Sequence, residues 1–222
     1  MVLKLYGSPV ASCTLRVAVV LYEKKIPFEL YPIDLQKGEH KVPTYLEKQP
    51  FGQVPLLDDD GFVVFESRAI CRYLEAKYPN QGPKLVPASS DLKATALFEQ
   101  AASIETANFD SFAGKVAVEG YIKPQFFNLP KNQVVYDEAA KTLSAKLDAY
   151  EKILSRQKYL AGDELTLADL YHLPFGTNVA AAGCDLLTSK GPNVTRWWKD
   201  ISSRESWTAV KKGIPAGAIE FD

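Results

Sequence analysis

The chain has 222 residues, of which 46% are hydrophobic and 24% charged, a composition typical of soluble globular proteins. Its formal net charge of −1 gives no electrostatic argument for nucleic acid or an anionic membrane as partner, since both favour a basic surface. No apolar run approaches the roughly 20 residues of a membrane-spanning helix, and the first residues do not predict a signal peptide.

The first part of the chain mixes strand and helix signals. The predicted elements are, in chain order, a strand over 2–6, a helix over 15–22, a strand over 28–35, a hairpin turning at Asp60-Gly61 and a helix from Ser67. Two strands separated by a helix lie parallel through a right-handed crossover. The sequence therefore predicts a small four-stranded mixed sheet with helices, in the order βαβ and then ββα.

A proline- and glycine-containing stretch, YPNQGPKLVPASS, marks the boundary of this part. We expect a first domain over 1–80, a linker over 81–90 and a second domain over 91–222. No strand signal follows the linker, and the helical pattern predicts helices over 91–119, 137–156 and 194–212. The fold class expected is an α/β domain followed by an all-α domain.

One helix start in the second domain has a specific signature. In DELTLADL, Thr166 is a good N-cap and Asp169 stands three residues later, the spacing of a capping box. Leu165 and Leu170 have the spacing of a hydrophobic staple. We interpret this motif as a folding signal.

The cysteines and histidines limit the chemistry. Cys13, Cys71 and Cys184 are odd in number and widely spaced, which favours a reduced intracellular protein over a disulfide framework. Only His40 and His172 accompany them, and no cysteine pair has metal-ligand spacing. The sequence predicts no metal site.

The segment FESRAI combines charge and donor groups at a helix start. Glu66 and Ser67 stand where the hairpin gives way to a helix, whose free N–H groups suit a carboxylate or phosphate. Ser67 adds a hydroxyl donor, and Glu66 can hold an ammonium group beside the bound anion. The pair predicts a site for an α-amino acid head group, with a simple N-cap as the structural alternative.

Two further segments offer polar groups to a ligand. In QPFGQVPLL, Pro55 opens a strand, where proline is tolerated because it donates no ladder hydrogen bond. If the Val54–Pro55 bond is cis, the backbone of Val54 faces outward and can pair with an extended peptide; a plain turn is the alternative. In KGEHKVP, His40 and Lys41 either donate to a second carboxylate or are simply solvated.

GEHK, PFGQVP and FESRAI, in this order and spacing, resemble the glutathione-binding segments of glutathione S-transferases, most closely the phi class of plants and fungi. YLAGDELTLADL and RWWKDISSRESW are similar to that family's helical domain, so the likeness covers nearly the whole chain. The resemblance implies a thioredoxin-like βαβ-ββα domain followed by an α-helical bundle domain. It also implies a cytoplasmic detoxification enzyme that conjugates glutathione, its co-substrate, to small hydrophobic electrophiles, with peroxidase activity as a further expectation.

The resemblance also implies roles for individual residues. The γ-glutamyl end is held by Glu66 and Ser67, the cysteinyl segment by Gln53, Val54 and Pro55, and the glycine carboxylate by His40 and Lys41. An electrophile pocket is expected between the domains, lined by Val10, Leu35, Phe109 and Phe112. A homodimer is expected, in which Phe51 inserts into the partner's helical domain or else folds back on its own.

The sequence departs from the phi pattern where the thiol is activated. The usual catalytic serine lies four positions after the strand-ending glycine, and that position is Ala11. Ser12 is our candidate after a small shift of the turn, although backbone amides alone or a mixed disulfide with Cys13 are alternatives. We expect Cys13 to be a buried structural thiol pointing away. Weak activation would favour the alternative function, a ligandin that binds hydrophobic molecules; a scaffold module is a more distant one.

Overall fold

The structure is a computed structural model of the chain and describes residues 2–221. It divides into two compact units. The first consists of Met1–Lys84 together with Glu205–Asp222, and the second of Leu85–Arg204. Within residues 2–221, no helix is both long and apolar enough to cross a bilayer.

The first unit is built on a five-stranded sheet. Its elements up to residue 84 are β1 (Leu3–Gly7), α1 (Ser12–Glu23), β2 (Phe28–Pro32), a 3-10 turn (Glu39–Lys41), α2 (Pro43–Leu46), β3 (Leu56–Asp59), β4 (Phe62–Phe65) and α3 (Ser67–Lys77). β1 is central, because it pairs in parallel with β2 and antiparallel with β3. Leu3 and Leu5 of β1 are buried while Lys4 between them is exposed, the alternation expected of a strand with one face on the core.

The second unit is helical. Its elements are α4 (Leu92–Ile104), α5 (Ser111–Ala117), α6 (Lys123–Phe127), α7 (Gln133–Leu154), α8 (Leu167–Leu170), α9 (Leu173–Ala181), α10 (Leu186–Ser189) and α11 (Pro192–Ser202). π-helical turns over Glu105–Asp110 and Val118–Ile122 join α4, α5 and α6. The helix predicted over 91–119 is therefore part of a longer helical run that contains two wider turns and continues to Phe127, which hydrophobic spacing alone does not reveal.

The end of the chain departs from the prediction. Instead of one helix over 194–212 there are α11 and α12 (Glu205–Val210), and a fifth strand, β5 (Gly217–Ile219), follows. β5 pairs antiparallel with β2, and the tail groups with the first unit. The expected all-helical span 91–222 is wrong here, because so short a strand is specified by the edge it pairs with rather than by its own residues.

The capping box at the start of α8 is confirmed. Asp169 is fully buried and accepts four hydrogen bonds, from Thr166 N and Oγ1, Leu160 N and Trp197 Nε1. Burial raises the pKa of this carboxyl, while the four donors act in the opposite direction. Asp169 thus ties three parts of the second unit to one buried point.

Replacing Asp169 tests this role. Asp169→Ala leaves several buried donors without an acceptor, so we expect it to lower the free energy of unfolding by about 3 kcal/mol. Asp163→Ala is the matched control, since the exposed Asp163 accepts from Lys158 N, and it should cost about 1 kcal/mol or less. Urea unfolding measures both, and equal losses would contradict the role of Asp169.

Candidate functional site

The strand register brings the candidate binding segments to one end of the sheet. Leu56, at the start of β3, pairs with Tyr6 near the end of β1 and with Phe65 at the end of β4. Because β2 is parallel to β1, the loop after β2 leaves from this end as well. Four segments therefore lie at the same end of the sheet: the first turn of α1, the residues before β3, the start of α3 and the loop with His40.

The first turn of α1 has backbone N–H donors that no side chain of the turn accepts from. Ala11 is the N-cap, in extended conformation, and makes no side-chain cap hydrogen bond. Ser12 is the first helical residue and is 9% exposed, and the first turn holds no acidic residue. Among residues 2–221 nothing accepts from the N–H groups of Cys13 and Thr14. This helix start is a positive end suited to an anion.

Gly7 lets α1 approach the end of β1 closely. A Cβ at position 7 would lie 2.6 Å from Thr14 Oγ1, so a larger residue would push the helix away. Thr14 is fully buried, and its Oγ1 has no hydrogen-bond partner in the described part of the chain. The glycine that ends β1 thereby fixes where the first turn of α1 begins.

Ser67 opens α3 and is 5% exposed. Glu66 before it is exposed and has a φ of 71°, a conformation that is uncommon for residues other than glycine and recurs at functional sites. Its side chain does not cap the helix. Glu66 is therefore free to face a ligand, as the sequence predicts for an ammonium partner.

Arg16 was missed by the sequence reasoning. It is fully buried on α1, and its Nη1 donates to Ser67 Oγ at 3.0 Å and to Cys13 Sγ at 3.4 Å. The expectation that Cys13 is buried and points away is wrong, because its half-exposed thiol lies beside the same nitrogen as Ser67. An arginine inside an apolar helix was the available signal. The buried thiol is Cys71, whose pKa burial raises to about 12.

The Val54–Pro55 bond is cis, which decides between the two alternatives that the sequence left open, a cis bond and a plain turn. Val54 is half-buried, and its backbone N–H and C=O make no hydrogen bond within residues 2–221. Gln53 beside it is exposed, and its carbonyl accepts from Tyr45 Oη at 2.8 Å. Burial raises the pKa of Tyr45 to about 12, so this phenol remains a donor and holds the segment in place.

The His40-Lys41 turn lies against the segment before Val54. Lys41 Nζ donates to Phe51 O at 3.1 Å, and a Cβ on Gly52 would lie 2.8 Å from both His40 O and Lys41 Nζ. Gly52, with a φ of 57°, permits this contact. His40 Nδ1 is buried without a partner among the described residues, and burial, with a contribution from Lys41, lowers the pKa of His40.

Comparison with known sequences shows which family the chain belongs to. Residues 1–76 match the family model of the glutathione S-transferase N-terminal domain, and residues 109–205 that of the C-terminal domain. Over 197 residues the chain is 48% identical to glutathione S-transferase PM239X14 of Arabidopsis thaliana, covering 88% of this chain and 89% of that one. The chain belongs to the glutathione S-transferase family. Its relatives place it in the phi class.

Solved glutathione S-transferases have the same fold. Glutathione transferase F7 of Populus trichocarpa superimposes with a TM-score of 0.89 at 40% identity, covering 96% of this chain and 99% of that one. A glutathione S-transferase-I bound to lactoylglutathione gives a TM-score of 0.87 at 32% identity, with the same coverages of 96% and 99%. The thioredoxin-like domain followed by a helical domain is therefore confirmed.

The residues expected to line the electrophile pocket of this glutathione S-transferase are divided between the two units. In the first unit Val10 is 44% exposed and Leu35 half-buried. In the second, Phe112 is half-buried, whereas Phe109 is fully buried with its ring 4.5 Å from that of His172. The prediction that Phe109 lines a pocket open to a ligand is wrong, since it packs in the core of its unit.

No cluster of three or more histidine, cysteine, aspartate or glutamate side chains that could hold a metal occurs in the described part of the chain. Glutathione itself is the co-substrate of the family.

The lowered pKa of His40 predicts a pH dependence of glutathione binding. If the glycine carboxylate of glutathione binds beside His40, it stabilises the charged imidazole, so the pKa of His40 is higher in the complex than in the free protein. Affinity therefore increases as the pH falls through the pKa of the bound state. Titration calorimetry with S-methylglutathione, which has no thiol to titrate, should show about threefold tighter binding at about pH 5.5 than at about pH 7.5. His40→Gln should remove this dependence, and an unchanged pH profile in the variant would refute the assignment of His40.

Proposed function

We propose that this protein conjugates reduced glutathione to small hydrophobic electrophiles. The observation that carries the proposal is the meeting, at one end of a sheet, of two helix N-termini, an unpaired stretch of backbone at Val54 and a basic turn. Glutathione has two carboxylates, one ammonium group and an extended peptide backbone. The donor and charge types at the sheet end correspond to these groups one by one.

Each part of glutathione has a proposed partner. Ser67 and the start of α3 bind the γ-glutamyl carboxylate, and Glu66 binds the ammonium group. The N–H and C=O of Val54, with Gln53 beside them, pair with the cysteinyl segment, and His40 and Lys41 bind the glycine carboxylate. These roles follow the family resemblance, and the exposure of Glu66 and Gln53 and the free backbone of Val54 support them.

The thiol of glutathione has to be ionised to attack. A thiol of ordinary pKa is only a few per cent thiolate at neutral pH, and lowering that pKa by about two requires about 2.7 kcal/mol in favour of the anion. We propose that the hydroxyl of Ser12 and the free N–H groups of Cys13 and Thr14 provide it together. Ala11, as an N-cap without an oxygen, leaves those N–H groups to the thiolate.

Three variants separate the contributions to thiol activation. Ser12→Ala should raise the pKa of bound glutathione, measured from thiolate absorbance against pH, by about 1, and lower kcat/KM about tenfold at neutral pH. Ala11→Ser adds an N-cap oxygen that competes with the thiolate for the free N–H groups, so it should lower turnover, whereas a sharp rise would mean that thiol activation is attenuated by Ala11. Cys13→Ser should retain activity, because no disulfide step is required. A titration curve unchanged by Ser12→Ala would contradict the role of Ser12, and loss of turnover in Cys13→Ser would favour the mixed disulfide.

The function itself is tested by turnover. Purified protein should show glutathione-dependent conversion of at least one substrate from a panel of aryl halides, isothiocyanates and hydroperoxides. Tight binding of hydrophobic dyes with no turnover on the panel would support the ligandin alternative, which the comparisons do not favour over catalysis. Val10, Leu35 and Phe112 are the apolar residues we propose to contact the electrophile.

We also propose that the protein is a cytoplasmic homodimer in which Phe51 contacts the partner. Phe51 is 66% exposed in the loop before β3, although its ring also lies 6.2 Å from that of Phe65. Large exposed aromatic side chains are enriched among the residues that dominate protein interfaces. The three free thiols favour a reducing compartment.

Sedimentation velocity tests the role of Phe51. Phe51→Ala should weaken dimerisation about tenfold or more, because the loop loses its exposed aromatic ring. Phe127→Ala is the matched control, since Phe127 is also exposed, at 49%, but lies in the other unit. A wild-type monomer would refute the dimer, and a Phe51→Ala protein that dimerises like wild type would refute the contact.

A further inference from the structure

We propose that Arg16 is a positioning residue for glutathione: it holds Ser67 so that the serine hydroxyl donates to the γ-glutamyl carboxylate. This inference rests on the proposed function and adds a residue to it. Arg16 has no exposed surface, so it acts through the side chains it contacts and not by touching the ligand.

The contact between Arg16 and Ser67 joins the two helices that border the site. Arg16 lies one turn into α1, and its Nη1 reaches Ser67 Oγ, the first residue of α3, at 3.0 Å. On the other side of the chain, the Cys71 thiol donates to the backbone carbonyl of Arg16 at 3.5 Å. A buried guanidinium is tolerated only when its donors are used, so this geometry is strongly constrained.

The hydrogen-bond chemistry of the pair determines the direction in which Ser67 can donate. A serine hydroxyl has one proton to donate and two lone pairs, whereas an arginine has donors only. Ser67 therefore accepts from Arg16, and its proton must point elsewhere. No described residue accepts from Ser67 Oγ. The hydroxyl is left with a free donor at the start of α3, where a carboxylate is also favoured by the helix N-terminus.

The charge of Arg16 acts in the same direction. A cation placed behind Ser67 and shielded from water attracts an anion on the far side of the hydroxyl more strongly than an exposed cation would. The same Nη1 also donates to Cys13 Sγ in the first turn of α1. Arg16 therefore fixes Ser67 relative to the turn that is proposed to activate the thiol.

The test is a mutant cycle with a second buried cation as control. Arg16→Met should raise the Kd for glutathione, measured by calorimetry, about tenfold and KM in parallel, with kcat changed by less than about threefold. Arg16→Lys keeps the charge and a donor and should recover part of the loss. Because Arg16 acts through Ser67, adding Arg16→Met to Ser67→Ala should weaken binding by less than about twofold more.

Lys24→Met is the matched control for burial. Lys24 is also fully buried at the other end of α1, where its Nζ lies 2.7 Å from Glu75 Oε2 and donates to Pro83 O. This variant should lower the melting temperature without changing the Kd for glutathione. It separates a general loss of stability from a loss of positioning.

Two results would overturn the inference. One is an unchanged Kd in Arg16→Met, and the other is a full additional tenfold loss when that change is combined with Ser67→Ala. If Arg16→Met does not fold, the cycle of Arg16→Lys with Ser67→Ala decides by the same criterion. Wild-type protein that fails to bind glutathione at all would instead refute the proposed function, so the two failures are distinguishable.

Discussion

The pairing of β1 with its two neighbours is the constraint on which the candidate site depends. Because β1 is parallel to β2 and antiparallel to β3, segments that are far apart in sequence begin or end at the same end of the sheet. A slip of one residue in this register would exchange the buried and outward faces of β1. The buried Leu3 and Leu5 therefore stabilise the core and also set the strand register, which determines which loops lie next to one another.

Two kinds of helix start in this chain correspond to two different uses. At α8, Asp169 and Thr166 satisfy the backbone from within the helix itself, which stabilises the second unit. At α1, Ala11 offers no acceptor, and neither α1 nor α3 has an acidic residue in its first turn. Helix starts left without an internal anion are the ones available to an external anion. This contrast connects the local sequence directly to the proposed binding of glutathione.

The features that the sequence predicted are those with a local physical cause. The hairpin at Asp60-Gly61 and the capping box each depend on a few neighbouring residues, whereas the residues around Pro55 do not by themselves distinguish a cis bond from a plain turn. The order and spacing of the short motifs then indicated the family, because several motifs found in the same order are far more specific for a family than any single motif.

The features that the sequence did not predict depend on contacts between distant segments. β5 exists because β2 has a free edge to pair with, and nothing in Gly217–Ile219 itself requires a strand. Phe109 and Phe112 lie three residues apart, so helical spacing alone does not tell which of them is in the core. Phe109 is fully buried because its ring packs against His172. Arg16 reaches Ser67 across 51 positions of sequence, a contact that no local pattern contains.

The central claim is that the polar groups at the end of the sheet form one binding site for glutathione. A crystal structure of the protein grown with glutathione tests it most directly. The account predicts the γ-glutamyl carboxylate at Ser67 and the start of α3, the cysteinyl backbone paired with Val54, and the sulfur at the first turn of α1. Glutathione bound elsewhere, or an empty site at saturating peptide, would contradict it.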